Sequence, residues 1–364
     1  MSEGASPPGI ESTAFGALPD GRAVRRHRLT NARGMVVDLI DHGAAIARIA
    51  VPDGNGQLAD VVVAPADLGG FVRSKRRFGA IVGRYAGRLR GAALVDGKRY
   101  PLATNASGVT LHGGDPGFDR ALWSARPFEA ADAAGVIFTH VSPDGDQGFP
   151  GRLTVTARYA LARNADVLTL DITAASDRPT VANVTNHVYF NLAGRGTIAC
   201  HRLRVDAARR LEIDGRKLPT GRLLPTDGGP FDFAGGRVLA DTLGSSHPAI
   251  AAAGGIDEML EMRPGGAAQL DDRHSGRTLT LTTDQPGLQV YTGNAFDGTD
   301  RDRRGDAIAR HAGIALEPGH FPDSPWIAHF PSTRVEPGRP LRWRTRWAFG
   351  AEPQARPADG CRAA

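Results

Sequence analysis

Large apolar side chains occupy every second position of Leu153-Thr154-Val155-Thr156-Ala157-Arg158-Tyr159-Ala160-Leu161. Side chains alternate across a strand, so this pattern buries one face and leaves the other to polar groups. The same period recurs over residues 167–173, 278–283, 288–291 and 341–349. Apolar runs over residues 35–40, 45–51 and 60–64 are shorter, and turn chemistry such as Asp41-His42-Gly43 and Pro52-Asp53-Gly54-Asn55-Gly56 bounds them. Long stripes with the 3.6-residue period of a helix are scarce, while 46 glycines and 25 prolines punctuate the chain. Many short strands with few helices predict an all-β fold, a sandwich or a barrel.

No linker and no internal repeat interrupts residues 21–350, which predicts one domain there. Large β folds often exceed the usual ~100–200 residues of a domain. Residues 1–20, rich in Gly, Ser, Pro and Ala, read as a flexible N-terminal arm, and residues 351–364 as a polar tail. The net charge of +5 comes from scattered Arg, with clusters at residues 73–77 and 301–304. The second cluster alternates with Asp300, Asp302 and Asp306, the mark of a solvated loop. No helix-turn-helix, RNP-like or zinc-finger pattern accompanies the charge, which argues against a nucleic-acid partner. Cys200 and Cys361 form neither a disulfide framework nor a zinc motif. Residues 1–20 lack the basic and apolar regions of a secretory signal, and no apolar run reaches the ~18–20 residues of a membrane span. These features predict a cytoplasmic protein with no membrane partner.

Several segments carry candidate chemistry. His187 stands in Thr185-Asn186-His187-Val188-Tyr189-Phe190-Asn191-Leu192, where an imidazole suits proton transfer near neutrality and the aromatic wall suits the apolar face of a sugar. His112 precedes Gly113 and Gly114, which have no side chains to block a ligand. Arg84 and Arg88, in Gly83-Arg84-Tyr85-Ala86-Gly87-Arg88, are either donors to hydroxyls or structural ion-pair partners. Asp144 and Asp146 lie in a turn without the terminal Glu of a calcium loop, and read as a structural hairpin. Gln289 and Tyr291 share one face of a strand, and Asp257 and Glu258 form a carboxylate pair. Glu317 ends the apolar run Gly313-Ile314-Ala315-Leu316, where burial raises a carboxyl pKa towards the range of a general base.

Taken in order, G-A-I-V-G-R-Y-A-G-R-L, L-H-G-G, D-G-D-Q-G-F-P-G, T-N-H-V-Y-F-N-L, Q-P-G-L-Q-V-Y-T-G-N and A-L-E-P-G-H-F-P-D resemble the aldose 1-epimerase (galactose mutarotase) family over residues 25–350. The resemblance implies a large antiparallel β-sandwich, the galactose mutarotase-like supersandwich. It implies His187 as general acid and Glu317 as general base, with His112 able to share the acid role. It further implies Arg88, His112, Asp257 and Gln289 as sugar contacts. The sequence departs from the family pattern at Gly87, Glu258, Pro318-Gly319 and Trp326, positions expected near the cleft.

The implied reaction interconverts the α and β anomers of a free aldose. A base removes the anomeric hydroxyl proton while an acid protonates the ring oxygen, and each positioned transfer contributes roughly 10²–10⁴-fold. No metal or organic cofactor is expected, and the partner is a small-molecule aldose, with the protein a monomer or homodimer. The alternatives are a non-catalytic carbohydrate-binding sandwich, which does not need both a buried Glu and an imidazole, and an epimerase of a phosphorylated hexose, for which residues 73–77 would bind phosphate. A metallohydrolase lacks support because no H-E-x-x-H or short-spaced His pair is present.

Overall fold

The computed structural model describes residues 8–352, and their strands form antiparallel sheets of nine, six and five strands with smaller two-stranded pairs. The alternation in sequence sets which face is buried. Leu153, Val155, Ala157 and Tyr159 of the strand Leu153–Ala162 are fully buried, as are Leu168 and Leu170 of the neighbouring strand Val167–Ser176. These strands lie in the nine-stranded sheet beside Leu341–Ala351, whose Trp343 and Trp347 point into the same core. The six-stranded sheet runs in the order Tyr189–Phe190, Ile314–Gly319, Gly287–Tyr291, Asp257–Met262, Ala207–Ile213, Pro219–Pro225. Apolar residues of all three large sheets pack into one contiguous cluster. The architecture is the expected all-β antiparallel sandwich, and the helices Leu68–Arg73 and Pro248–Ala253 have only six residues each.

Two expectations need correction. Residues 9–17 are not a flexible arm, because the strand Gly9–Ala17 pairs along its length with Ala23–Thr30 at the edge of the five-stranded sheet. Residues 1–7 lie outside the described residues, as does the expected tail beyond residue 352. Cys200 is disulfide-bonded, against the reading of the cysteines as carrying no disulfide framework. Among the described residues no helix is long and apolar enough to cross a membrane.

Arg84 resolves to the structural alternative. It is buried and donates to the carbonyls of Pro150 (3.1 Å), Ser142 (3.1 Å) and Gly151 (2.7 Å), so it clamps the hairpin that begins the strand Leu153–Ala162. Asp144 closes the same hairpin by accepting the Gly151 N–H at 2.6 Å. Arg84→Leu strands three buried carbonyls, and we expect a loss of about 3 kcal/mol or more in urea-induced unfolding. An unchanged midpoint would show that the clamp contributes nothing.

Candidate active site

Strand register builds one wall of a deep cleft. Gln289 lies opposite Glu317, Met259 opposite Gln289, Asp257 opposite Tyr291, and Tyr189 opposite Ala315. Directly opposed residues share a face, as do residues two apart on one strand. Asp257, Met259, Gln289, Tyr291, Glu317 and Tyr189 therefore project together, and all six line a cleft of about 390 Å³. Glu258 falls on the opposite face. It is buried against Arg210 at 3.1 Å, with its carboxyl pushed up to about 7 by burial, and does not line the cleft.

The opposite wall comes from loops tied together by buried polar groups. His187 follows the short strand Thr185–Asn186, which pairs with Ile81–Val82. The His187 N–H donates to Ala80 O at 2.8 Å, and its carbonyl accepts from Gly79 at 3.0 Å. Asn186 explains the residue before the histidine: its amide donates to Gly79 O (2.6 Å) and to the Tyr159 hydroxyl (3.0 Å), fixing the turn to the core. Arg88 and His112 sit at the two-stranded pair of Arg88–Leu89 with Thr110–Leu111. The Gly87 N–H donates to His112 Nδ1 at 3.3 Å, so in the neutral ring the proton resides on Nε2. The glycine after His112 serves packing, not ligand access: Gly113 has a φ of 88°, and a Cβ there would lie 2.2 Å from the Gly83 carbonyl oxygen. Asn183 joins these loops to the sheet, donating to the carbonyls of Ala86 and His320 at 3.1 Å and accepting the His320 N–H at 3.0 Å.

The six site residues that the family resemblance implied, His187, Glu317, His112, Arg88, Asp257 and Gln289, all line this one cleft. His187 Nε2 lies 3.6 Å from Glu317 Oε1, and both side chains are almost wholly buried. The His112 ring stands edge-on to His187, with centroids 5.4 Å apart. Burial, with the neighbouring Asp257 charge, pushes the Glu317 carboxyl up to about 8. Burial, with Arg77 nearby, pulls His187 down to about 3, and burial also holds His112 well below its ordinary value. Asp257 accepts from Gln289 Nε2 at 2.9 Å and from Lys217 Nζ at 3.0 Å. The Arg88 guanidinium has no hydrogen bond or ion pair with the described residues, so its donors are free for a ligand. Among the described residues no group of three or more His, Cys, Asp or Glu is arranged to hold a metal ion.

Sequence reasoning missed Lys217, Asn183 and the placement of Arg77, all of which line the cleft. Asn183 left one readable trace, a lone amide within the buried run 181–184. Lys217 left none, since its hairpin reads as an ordinary solvated turn. Of the departures, Gly87 and Pro318-Gly319 line the cleft, whereas Trp326 does not: its indole donates to Ala92 O at 2.9 Å and stacks under Arg90.

The family model described as Aldose 1-epimerase matches residues 25–348. Rat galactose mutarotase is 36% identical over 93% of this chain and 98% of its own length. Aldose 1-epimerase of Escherichia coli K12 is 31% identical over 92% of this chain and 97% of its own. The crystal structure of galactose 1-epimerase from Lactobacillus acidophilus superposes with a TM-score of 0.85 at 26% identity, covering 95% of this chain and 99% of that one.

Proposed function

The chain belongs to the aldose 1-epimerase family, and from that premise we propose how its own residues carry the reaction. It is an isomerase that interconverts the α and β anomers of an aldose. In our reading Glu317 takes the proton of the anomeric hydroxyl and His187 protonates the ring oxygen. The C1–O5 bond then breaks, the aldehyde turns about C1–C2, and closure on the other face reverses both transfers. The observation that carries this assignment is the buried His187–Glu317 pair at 3.6 Å on the cleft wall. His112, with its proton on Nε2, donates to the same or a neighbouring oxygen, while Arg88, Asp257 and Gln289 hold hydroxyls.

Both members of the pair are held far from their ordinary protonation by burial. Between about 3 and about 8 it holds one proton, and burial alone puts that proton on Glu317. The arrangement with Glu317 ionised and His187 protonated therefore lies above the neutral one. Attraction between the two charges across 3.6 Å in a buried site narrows that gap. The ionic and neutral arrangements thus remain within reach of each other. Both have the same proton count, so pH does not select between them. We expect kcat/KM to stay level between the two values, then fall about tenfold per pH unit above about 8 as the shared proton is lost. A rate that keeps climbing beyond that point would contradict this scheme.

Polarimetry of freshly dissolved α-anomers of galactose, glucose, xylose and arabinose tests the activity directly; no acceleration over buffer with any of them would sink it. Arg88→Ala and Asp257→Ala move no proton, and we expect each to raise KM about tenfold with a smaller effect on kcat. The reading includes one domain over residues 21–350, extended by the strand Gly9–Ala17 and supported by the shared apolar cluster. Limited proteolysis that yields two stable halves would overturn it. A cytoplasmic setting and a monomer or homodimer complete the proposal, the latter testable by light scattering.

A further inference from the structure

The cleft carries more positive charge than a neutral sugar requires. Lys75, Arg76, Arg77, Arg88 and Lys217 line it, against the carboxyls of Asp257 and Glu317. Two of the five cations are accounted for: Lys217 binds Asp257 at 3.0 Å, and Arg76 binds Asp297 at 2.9 Å. Arg77 approaches Asp119 only to 3.9 Å, and Arg120 shares that same carboxylate at 3.4 Å. The Arg77 Nη1 donates to Lys75 O at 3.3 Å while its Nε is buried without a hydrogen-bond partner, and the Lys75 ammonium has neither an ion pair nor a hydrogen bond among the described residues. Burial biases Glu317 towards its neutral form, so it offsets little of this charge.

These cations are presented on an anchored segment. Arg120 donates to Val72 O at 2.7 Å and also to Ser74 O, at the end of the helix Leu68–Arg73. The Ser74 hydroxyl donates to Asp300 at 2.9 Å, and the buried Tyr189 hydroxyl donates to Arg76 O at 3.2 Å. Backbone at residues 74–77 is thus held by groups from three other parts of the chain. Arg77 lines the same cleft, and the Tyr189 ring whose hydroxyl holds Arg76 packs 4.9 Å from the His187 imidazole, so this segment lies beside the reacting end of the cleft.

The ring oxygen that faces His187 is bonded to C5 as well as to C1, and in a hexopyranose C5 carries C6. A substituent at C6 therefore lies next to the oxygen the imidazole serves, on the side away from the anomeric hydroxyl. We infer that the cleft takes an aldose bearing a carboxylate at C6, a hexuronate, with Arg77 and Lys75 as the partners of that carboxylate. The inference rests on the acid–base reading given above. A planar guanidinium matches a carboxylate through paired N–H donors, and a neutral CH₂OH group offers nothing to balance the charge.

The test compares kcat/KM for anomerisation of glucuronate and galacturonate with that for glucose and galactose at pH 7. We expect the uronates to be favoured by at least ~10-fold at low ionic strength, with the preference shrinking at about 0.5 M salt. Lys75→Gln and Arg77→Gln should each lower the uronate-to-hexose ratio ~3–10-fold, a readout that a merely structural role does not move. A wild-type ratio at or below one, or a ratio unmoved by both substitutions, overturns the proposal. So does a hexose 6-phosphate that outperforms the uronates, because the site then selects a dianion. Turnover of neutral hexoses without uronate preference leaves the acid–base reading standing, whereas no acceleration with any of these sugars overturns both.

Discussion

Glu317→Gln lowers kcat for anomerisation by at least ~100-fold, the lower end for loss of one positioned general base. The amide keeps the shape of the side chain and its place opposite Gln289 in the sheet, but it cannot accept the anomeric proton. KM should change little, because Arg88, Asp257 and Gln289 still hold the ring. Folding supplies an independent control. A carboxyl raised from 4.5 to about 8 in the folded state is protonated there and ionised in the unfolded chain, so it costs stability increasingly as pH rises through that window. The Gln variant removes this cost, and its thermal midpoint at pH 7 should equal or exceed that of the wild type. Near wild-type anomerisation by a well-folded Glu317→Gln protein would remove Glu317 from the role of base.

Much of this site could be read from the chain because its sheet wall obeys the period of two. Gln289 and Tyr291 follow from alternation along their strand, Glu317 from its place at the end of a buried apolar run, and alternation turns Glu258 away from the cleft although it adjoins Asp257. The loop wall was legible only through family resemblance, since nothing local encodes that residues 84–88, 112 and 187 meet. What escaped altogether depends on pairings between distant segments. Whether Arg84 meets substrate or three backbone carbonyls is decided by a hairpin about sixty residues further on. Lys217 enters the site only because its hairpin tip lies across from Asp257. The strand Gly9–Ala17 was hidden for a different reason. Its Gly, Glu and Ala have weak strand propensity, and its side chains are partly exposed, so the pairing with Ala23–Thr30 leaves no strong apolar pattern.

His187→Asn should cost kcat a factor of about 100 as well, and it carries a sharper signature in its pH dependence. Asparagine retains an N–H donor towards the ring oxygen but has no proton to give. In the wild type the alkaline fall begins at about 8, where the His187–Glu317 pair loses its single proton. Without the imidazole, residual turnover depends only on an ionised Glu317, so kcat/KM should rise with pH through the same region where the wild type declines. The slope changes sign, which a defect in folding or in sugar binding does not produce. Because both groups serve one coupled transfer, the double variant should lose less than the product of the single losses. If the alkaline fall persists in His187→Asn, the shared proton resides elsewhere, and His112, whose ring stands 5.4 Å from His187, becomes the acid.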